Sequence, residues 1–358
     1  MFETMHIIAA FLISAVLVYI SIPVIVKISA MKKLVDKPNE RKVNDVPIPN
    51  LGGVALFLGI TIGTLLSIDK IEVADFRYIF ASMTLLFFLG IKDDILVLSA
   101  TTKFVTQFFA TGILIVLGGI RLTSLHGIFG IEEIGYVESV VLSFLVIIGI
   151  INAMNLIDGI DGLAGGLSLM ITSIFGVFFI GYGQTAYAIL AFAAAGSVMP
   201  FLYFNLFGKT NKIFMGDTGS LILGLLISVM VIRYNEFAIG TGHGAASPAI
   251  SLSILMFPVL DVFRVMLVRI RHRKSPFKPD KNHIHHKCLD LKFSHLASSL
   301  ILILFNFAVV VLIFLLRALN IHILLALLLV LYLLFYFVLV LLQNRKTKEA
   351  PLPLHREG

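Results

Sequence analysis

Apolar runs long enough to cross a membrane follow one another along almost the whole of this 358-residue chain. Hydrophobic residues make up 58% of it, and its mean hydropathy is +1.00. Because a helix needs about 20 mainly apolar residues to cross a bilayer, we predict an all-α integral membrane protein. No stretch is left for a soluble domain of ordinary size.

Eleven segments are candidate transmembrane helices, and ten is the alternative count because several are shorter than about 20 residues. They lie at about 5–29, 51–68, 76–91, 101–118, 139–153, 163–181, 185–204, 218–233, 248–268, 297–317 and 321–342. We expect the first to be retained rather than cleaved, because no Lys or Arg precedes it as in a signal peptide.

Positive charge follows the first segment at Lys27, Lys32 and Lys33, which by the positive-inside rule places the N-terminus outside and the C-terminus in the cytoplasm. Threading eleven segments from there puts 21 of the 28 Lys and Arg residues on the cytoplasmic side. We therefore predict one polytopic catalytic domain over residues 1–342 and a cytoplasmic tail at 343–358. The predicted cytoplasmic loops lie at about 30–50, 92–103, 154–162, 205–217 and 269–296.

The formal net charge of +7 raises the question of a nucleic acid partner. Because the positive residues gather on one membrane face, orientation and attraction to anionic lipids or phosphates explain them better. We therefore expect membrane lipids and no nucleic acid among the partners. The single cysteine, Cys288, falls in a predicted cytoplasmic loop, where we expect a membrane-impermeant thiol reagent to reach it only from the cytoplasmic side.

Acidic residues stand at the ends of the apolar segments, on the side predicted to face the cytoplasm. They are Asp93, Asp94, Asp158, Asp161 and Asp217. Ionisable groups close to hydrocarbon are costly and usually mark a functional site, so we expect these acids to converge. The structural alternative is a solvated helix end for Asp93 and Asp94, and helix N-caps for Asp161 and Asp217.

Two Asn residues strengthen the functional interpretation of the Asp158-Gly-Ile-Asp161-Gly segment. An i,i+3 spacing would place both carboxylates on one helical face, and Asn152 and Asn155 precede them by a turn or two. We interpret this group as a polar pocket.

Phe214 and Gly216 directly precede Asp217. A ring, a carboxylate and backbone N–H groups together suit a nucleobase above a phosphate. The alternative for Phe214 alone is an anchor at the membrane interface.

The loop at 269–296 is rich in Arg and Lys and includes Arg271, His283, His285 and His286. Such residues bind phosphates, although orientation in the membrane explains most of the charge. The histidines with Cys288 allow a zinc site, which we disfavour because the acids converge elsewhere. Contacts to phosphates or proton transfer by the histidines fit a basic loop better.

This combination of residues suits a transferase that handles a nucleoside diphosphate. Mg²⁺ is typically held by one or two carboxylates plus substrate phosphates and neutralises charge that develops on phosphate oxygens. The alternative from another class is an ion- or proton-coupled transporter, which would carry its acids near the centres of its helices. A CDP-alcohol phosphotransferase also uses Asp-Gly repeats, but Ile160-Asp161-Gly-Leu does not match its pattern.

The chain resembles the polyprenyl-phosphate N-acetylhexosamine-1-phosphate transferases, glycosyltransferase family 4. The matching stretches are Asp36-Lys-Pro-Asn-Glu-Arg-Lys42, Pro49-Asn-Leu-Gly-Gly53, Asp93-Asp94, Asn152 to Leu163, Phe214-Met-Gly-Asp-Thr-Gly-Ser220, Pro258-Val-Leu-Asp261 and His283-Ile-His-His286. Ser275-Pro-Phe-Lys-Pro-Asp280 before the histidines resembles the branch that transfers N-acetylglucosamine 1-phosphate. Ile284 interrupts the three adjacent histidines of the lipid I enzymes, which remain the alternative, and Asn44 stands where the branch usually has histidine.

The resemblance implies a Mg²⁺-dependent enzyme, with Mn²⁺ as a substitute ion, that uses a UDP-N-acetylhexosamine and undecaprenyl phosphate. The implied catalytic residues are Asp93, Asp94, Asp158, Asp161 and His285, and the implied metal ligands are Asp217 and Asp94. The implied substrate-binding residues are Lys42, Lys103, Asn152, Asn155, Phe214, Gly216, Arg271, His283 and His286. It places the enzyme in the bacterial inner membrane with its active site towards the cytoplasm; the oligomeric state stays open, with a homodimer as one alternative.

Overall fold

A computed structural model describes residues 2–32, 34, 48–68, 75–241, 244–273 and 282–349, and 81% of these described residues are helical. The helices are α1 (Phe2–Met31), α2 (Gly52–Ser67), α3 (Asp75–Leu96), α4 (Ala100–Gly112), α5 (Tyr136–Ile157), α6 (Leu163–Gly181), α7 (Thr185–Phe207), α8 (Gly216–Ala238), α9 (Ser247–Ile254), α10 (Val262–Arg271), α11 (Ile284–Asp290), α12 (His295–Leu315) and α13 (Ile321–Glu349). Two π-helical turns, Ile113–Leu117 and Phe257–Asp261, continue α4 and precede α10, and a 3₁₀ turn, Gly244–Ala246, precedes α9.

Each of the eleven predicted segments coincides with a helix or a helix pair. In the described part of the chain, eight helices are long and apolar enough to cross a membrane, and nine if one bent pair is a single span. That pair, Gly244–Ile254 and Phe257–Arg271, bends by 68° at Pro258, which lacks a backbone N–H and disrupts the regular helix. The number of helices that cross the membrane, and their orientation, stay predictions.

The prediction of an all-α fold missed a β-hairpin between α4 and α5. Its strands, β1 (Ser124–Ile128) and β2 (Ile131–Glu133), are antiparallel. Gly127 and Gly130 hold positive φ angles at the turn, which glycine adopts without steric cost. The Glu236 carboxylate accepts hydrogen bonds from the backbone N–H and hydroxyl of Thr123, at 2.7 and 2.8 Å, which fix the hairpin to the end of α8.

Helix α8 is the central helix of the bundle and is buried along almost its whole length. It packs against α2, α3, α5 and α6. A Cβ on Gly90 of α3 would lie 2.3 Å from Thr218 Cα, and one on Gly53 of α2 would lie 2.2 Å from the Gly219 backbone N. Because only glycine permits such close backbone approach, the N-terminus of α8 is enclosed by the ends of its neighbours.

Several of the predicted loops contain helix, and their position on the cytoplasmic side stays a prediction. The predicted loop at 92–103 is mostly helical, because α3 continues to Leu96 and α4 begins at Ala100, where Ser99 caps it. The predicted loop at 269–296 contains α11, and α13 continues past residue 343 to Glu349. Polar residues in these helices lowered the local hydropathy, which marks apolar segments rather than helix ends.

Candidate active site

The Asp94 side chain, at the end of α3, caps the N-terminus of α8. Its Oδ1 accepts a hydrogen bond from the Asp217 backbone N at 2.8 Å. Its Oδ2 accepts bonds from the Thr218 backbone N at 3.1 Å and hydroxyl at 2.6 Å. The Asp94 side chain, rather than that of Asp217, therefore accepts the hydrogen bonds that cap α8. Asp217 lies inside the first turn of this helix.

Lys103, on α4, bridges two carboxylates from other helices. Its Nζ donates a hydrogen bond to Asp217 Oδ2 at 2.8 Å and forms an ion pair with Asp93. Asn155 of α5 donates to Asp217 Oδ1 at 2.7 Å, and Asp93 Oδ1 also accepts a bond from the Leu98 backbone N at 2.6 Å. Four helices thus bring a Lys, two Asp and an Asn side chain into contact.

Asp158 lies close to this group but has a different environment. It follows the last residue of α5, and no hydrogen bond from the described part of the chain reaches its carboxylate. Burial, followed by the negative charges of Asp217, Asp94 and Asp161, raises the pKa of Asp158 to about 7. A carboxyl with a pKa near neutrality can accept or release a proton at physiological pH.

Asp161 is held by two cationic or polar partners instead. Lys212 Nζ lies 2.7 Å from Asp161 Oδ2, and His295 Nδ1 lies 3.5 Å from the same atom. Although burial opposes the effect, the hydrogen bonds from His295 and Lys212 hold the pKa of Asp161 below its usual value. The two carboxyls of this segment therefore differ in charge state near neutral pH.

The expectation that Asp158 and Asp161 share one helical face is wrong. Residues 158–162 form successive turns between α5 and α6. The N-cap of α6 is Gly162, at a φ of +81° and without a side-chain cap bond, so Asp161 is not the cap either. The Gly162 backbone N donates to Asn205 Oδ1 at 2.8 Å, which fixes the turn to α7.

The histidines lie on and just before α11. His283 is the N-cap residue of this helix, and its Nδ1 lies 2.9 Å from Asp261 Oδ2. His285 is only 1% exposed, and a Cβ on Gly159 would lie 2.4 Å from its Nε2. His285 therefore contacts the turn that follows Asp158.

The environment of His285 keeps its ring neutral. Burial, followed by the neighbouring His286 and His283, lowers the pKa of His285 to about 3. A neutral imidazole can donate and accept one hydrogen bond each. This state suits a contact to a phosphate or hydroxyl better than proton transfer at neutral pH.

Phe214 lies in a backbone pairing between two loops. Its backbone N donates to Pro49 O at 2.8 Å, and its O accepts from Gly52 N at 3.0 Å; Gly53 N donates to Met215 O at 2.9 Å. The ring is half-buried, beside the α8 N-terminus. Two backbone segments thus hold Phe214 at the edge of the acidic group.

The remaining predicted site residues are placed differently. Asn152 donates to Gln107 at 2.9 Å, one turn below Asn155. Gly216 has a φ of +71°, and a Cβ there would lie 2.1 Å from Asn50 O, so this position requires glycine. Arg271 is exposed at the end of α10, and Lys42 lies outside the described residues.

The described residues hold no group of three or more His, Cys, Asp or Glu side chains that could bind a metal ion by themselves. His283 is engaged by Asp261, and Cys288 is fully buried on α11, so the expectation that thiol reagents reach Cys288 is wrong. Burial raises the pKa of the Cys288 thiol to about 11. Within the part of the chain that the structure describes, no group of side chains therefore supports the zinc alternative.

Comparison with known proteins identifies the family of this chain. Residues 76–235 match the family model described as glycosyl transferase family 4. A Bacillus subtilis protein named "probable undecaprenyl-phosphate N-acetylglucosaminyl 1-phosphate transferase" is 33% identical over 303 residues, 84% of this chain and 82% of that protein. The chain belongs to glycosyl transferase family 4.

Two further family members carry the name undecaprenyl-phosphate alpha-N-acetylglucosaminyl 1-phosphate transferase. The one from Yersinia pestis is 31% identical over 301 residues, 82% of this chain and 79% of its own. The one from Haemophilus influenzae is 38% identical over 258 residues, 71% of each chain. The family match begins in α3 and ends in α8, so it covers every helix that contributes to the contacts of Asp94, Lys103 and Asp217.

Sequence analysis of this family member missed residues that act through their partners. Lys212 pairs with Asp161, and Asn205 holds Gly162. Asp261, only 1% exposed, accepts bonds from His283 and from Arg264 at 2.6 Å. Asp261 stands in one of the matching stretches, but its partners were not predicted: Arg264 is three residues away and His283 is 22 residues away.

Proposed function

We propose that this protein transfers N-acetylglucosamine 1-phosphate from UDP-N-acetylglucosamine to undecaprenyl phosphate and releases UMP. The observation that carries the proposal is the bridge from Asp93 through Lys103 to Asp217 at the end of α8. The Lys103 ammonium group can bind a phosphate group, and the two carboxylates can hold a cation that neutralises phosphate oxygens. The printed names of the relatives support the sugar and the lipid acceptor.

In the proposed reaction, an oxygen of the lipid phosphate attacks the phosphorus that bears the sugar. A bond forms between these two atoms, and the bond from this phosphorus to the UMP oxygen breaks. The protein's part is to orient both phosphates and offset their repulsion. Lys103 supplies positive charge for this role, whereas the backbone N–H groups of Asp217 and Thr218 at the α8 N-terminus already donate to Asp94.

The donor set fits a Mg²⁺ ion held together with substrate phosphates. Asp217 and Asp158 are the residues that would hold it, because Asp94 already accepts three hydrogen bonds from α8. Asp158 has no hydrogen-bond partner in the described part of the chain and lies in the negative field of Asp217, so a cation would stabilise its ionised form. When bound, the ion supplies neutralisation of charge on the phosphate oxygens.

An apolar cavity of about 450 Å³ supports a lipid acceptor. Its lining includes Leu142, Gly149, Ile150 and Ala153 along α5, and it continues to Phe263 on α10. Asn155, which contacts Asp217, lies on the same helix half a turn beyond Ala153. A polyprenyl chain in this cavity would therefore place its phosphate end near the acids.

The localisation follows from the same arrangement. Eight or nine apolar helices indicate a multi-pass membrane protein. We propose that it lies in the bacterial inner membrane with the acid cluster on the cytoplasmic side. There it would meet a cytoplasmic UDP-sugar and anionic lipid headgroups.

The deciding experiment uses purified protein in detergent with Mg²⁺, undecaprenyl phosphate and separate labelled UDP-sugars. We expect UDP-N-acetylglucosamine to give UMP and a lipid-linked sugar diphosphate, with Asp217→Asn as the inactive control. Turnover of UDP-N-acetylmuramoyl-pentapeptide instead would support the lipid I alternative. Absence of UMP with every donor would contradict a transferase and favour the transporter reading.

A further inference from the structure

The N-terminal end of α11 is fixed by a buried carboxylate that α13 helps to hold. Asp261 accepts bonds from the Ile284 backbone N, at 3.3 and 3.2 Å, and pairs with His283. The Tyr332 hydroxyl of α13 donates to Asp261 Oδ1 at 3.2 Å. The same hydroxyl accepts a bond from Arg264 Nε at 3.0 Å. One phenol oxygen therefore links α13, α10 and the start of α11.

The C-terminal end of α11 is held by the same helix, three turns further on. Gln343 Nε2 donates to the Lys287 backbone O and to Asp290 Oδ2, each at 3.2 Å. Lys346 Nζ donates to the Leu291 backbone O at 2.8 Å. The Leu291 carbonyl lies at the helix C-terminus, where carbonyl groups lack intrahelical partners, and the other two bonds add acceptors in the last turn of α11. Helix α13 thus bonds the C-terminal end of α11 directly and its N-terminal end through Asp261.

The position of α11 matters to the site because His285 lies in its first turn. His285 packs against Gly159, the residue after Asp158. A seven-residue helix is too short to be stable by itself. Its position, and with it the contact between His285 and the Asp158 turn, must therefore come from tertiary bonds.

We propose that α13 is a brace that positions the histidine helix α11 against the Asp158 turn, with Tyr332 and Gln343 as positioning residues. The activity part of this proposal rests on the proposed transferase function. The position of α11 itself does not, and it can be measured without turnover.

Cys288 offers that measurement, because it is the only cysteine of the chain, lies on α11 and is 0% exposed. Its burial and its raised pKa make it slow to react with N-ethylmaleimide, since the thiolate is the nucleophile. We expect Tyr332→Phe and Gln343→Ala to label at least about fivefold faster, because opening of α11 follows the loss of its tertiary bonds.

Matched controls come from the same helix. Tyr336→Phe keeps the ring that lies 4.3 Å beneath the Arg264 guanidinium, and Asn344 is exposed beside Gln343. Tyr336→Phe and Asn344→Ala should label at the wild-type rate. Gly90→Ala should destabilise the packing of α3 against α8, so it controls for faster labelling through global unfolding.

Activity supplies the second readout. In a wild-type enzyme that turns over, Tyr332→Phe should lower kcat about five- to tenfold while the KM for the UDP-sugar changes less than twofold. Unchanged labelling in both brace variants, or faster labelling with unchanged kcat, would overturn the brace. An inactive wild type would instead contradict the proposed function, and the labelling comparison would still test the position of α11.

Discussion

Asp94 Oδ1 lies 2.8 Å from the backbone N of Asp217 and accepts its hydrogen bond. Asp94 therefore stabilises the N-terminus of α8, and Asp217 lies in the first turn of the same helix. The carboxylate of Asp94 is used inside the protein, whereas that of Asp217 points towards Lys103 and Asn155. This division of roles leads to different expectations for the two residues.

Asp94→Ala should mainly destabilise the protein. Loss of an N-cap acceptor costs about 0.5–2 kcal/mol, and three donors at the start of α8 would lose their acceptor. We expect the Tm in detergent to fall by several degrees, with Glu133→Ala on the exposed hairpin as an unaffected control. An unchanged Tm together with lost activity would contradict the cap and favour a direct catalytic role for Asp94.

Asp217→Asn should nearly abolish turnover while the protein stays folded. The amide keeps the size of the side chain but loses the charge that pairs with Lys103 and that would hold Mg²⁺. We expect kcat to fall at least about 100-fold, the scale for removing one electrostatic contact to a transition state. In a thermal-shift titration, Mg²⁺ should stabilise the wild type more than the variant; near wild-type activity at saturating Mg²⁺ would refute the assignment.

The raised pKa of Asp158 predicts a pH-dependent stability difference. Between its usual value of 3.8 and about 7, the folded carboxyl keeps a proton that the unfolded one has lost. Stability of the wild type therefore falls as pH rises through this window. Asp158→Asn cannot ionise, so its Tm relative to the wild type should rise from pH 5 to 7 and level off above.

Adding Mg²⁺ to this Tm comparison tests whether Asp158 binds the ion. Mg²⁺ at Asp158 would stabilise the ionised carboxylate, so it should reduce the difference at pH 8. A Tm difference that stays constant with pH in metal-free buffer would mean that the carboxyl titrates normally.

Phe214→Ala should weaken the binding of the nucleotide and leave the binding of the lipid phosphate nearly unchanged. Stacking of a base on an aromatic ring is worth about 1–3 kcal/mol, so the KM for the UDP-sugar should rise about tenfold or more. The KM for undecaprenyl phosphate should change little, and Phe214→Tyr, which keeps the ring face, should be mild. Equal losses towards both substrates would indicate that the ring only anchors the loop.

Gly90→Ala should destabilise the bundle strongly, because the added Cβ would lie 2.3 Å from Thr218 Cα. Gly149→Ala on α5 is the matched control, since nothing lies within 4 Å of a Cβ there, and Ala favours a helix by about 1 kcal/mol over Gly. Thermal unfolding of both variants compares them directly. Equal Tm values would show that α3 and α8 can separate without cost.

Hydropathy located the apolar helices well but not the elements between them. All eleven predicted segments correspond to helices, since apolar runs of that length have few alternatives. The β-hairpin at Ser124–Glu133 and the short α11 carry no comparable periodic signal. Their formation depends on tertiary bonds, such as those from Glu236 to Thr123 and from Asp261 to Ile284.

The sequence likewise predicted that the acidic residues meet but not which contacts each of them makes. Their placement at segment ends predicted that Asp93, Asp94 and Asp217 would meet, and the structure brings them into contact. It was not predictable which of them would cap α8 and which would pair with Lys103, because that depends on side-chain geometry across four helices. Their catalytic and metal-binding roles stay predictions.

The glycine contacts of α8 divide the site into two walls with different freedom to move. The backbones of α2 and α3 contact that of α8 at Gly53 and Gly90. The wall that carries Asp94, Asp93 and Asp217 therefore has little freedom to move. In the described part of the chain, the histidine helix contacts the turn after Asp158 through the His285 side chain, which lies against Gly159. We expect any closing or opening during a catalytic cycle to occur on the histidine side, with the α8 side as the fixed reference.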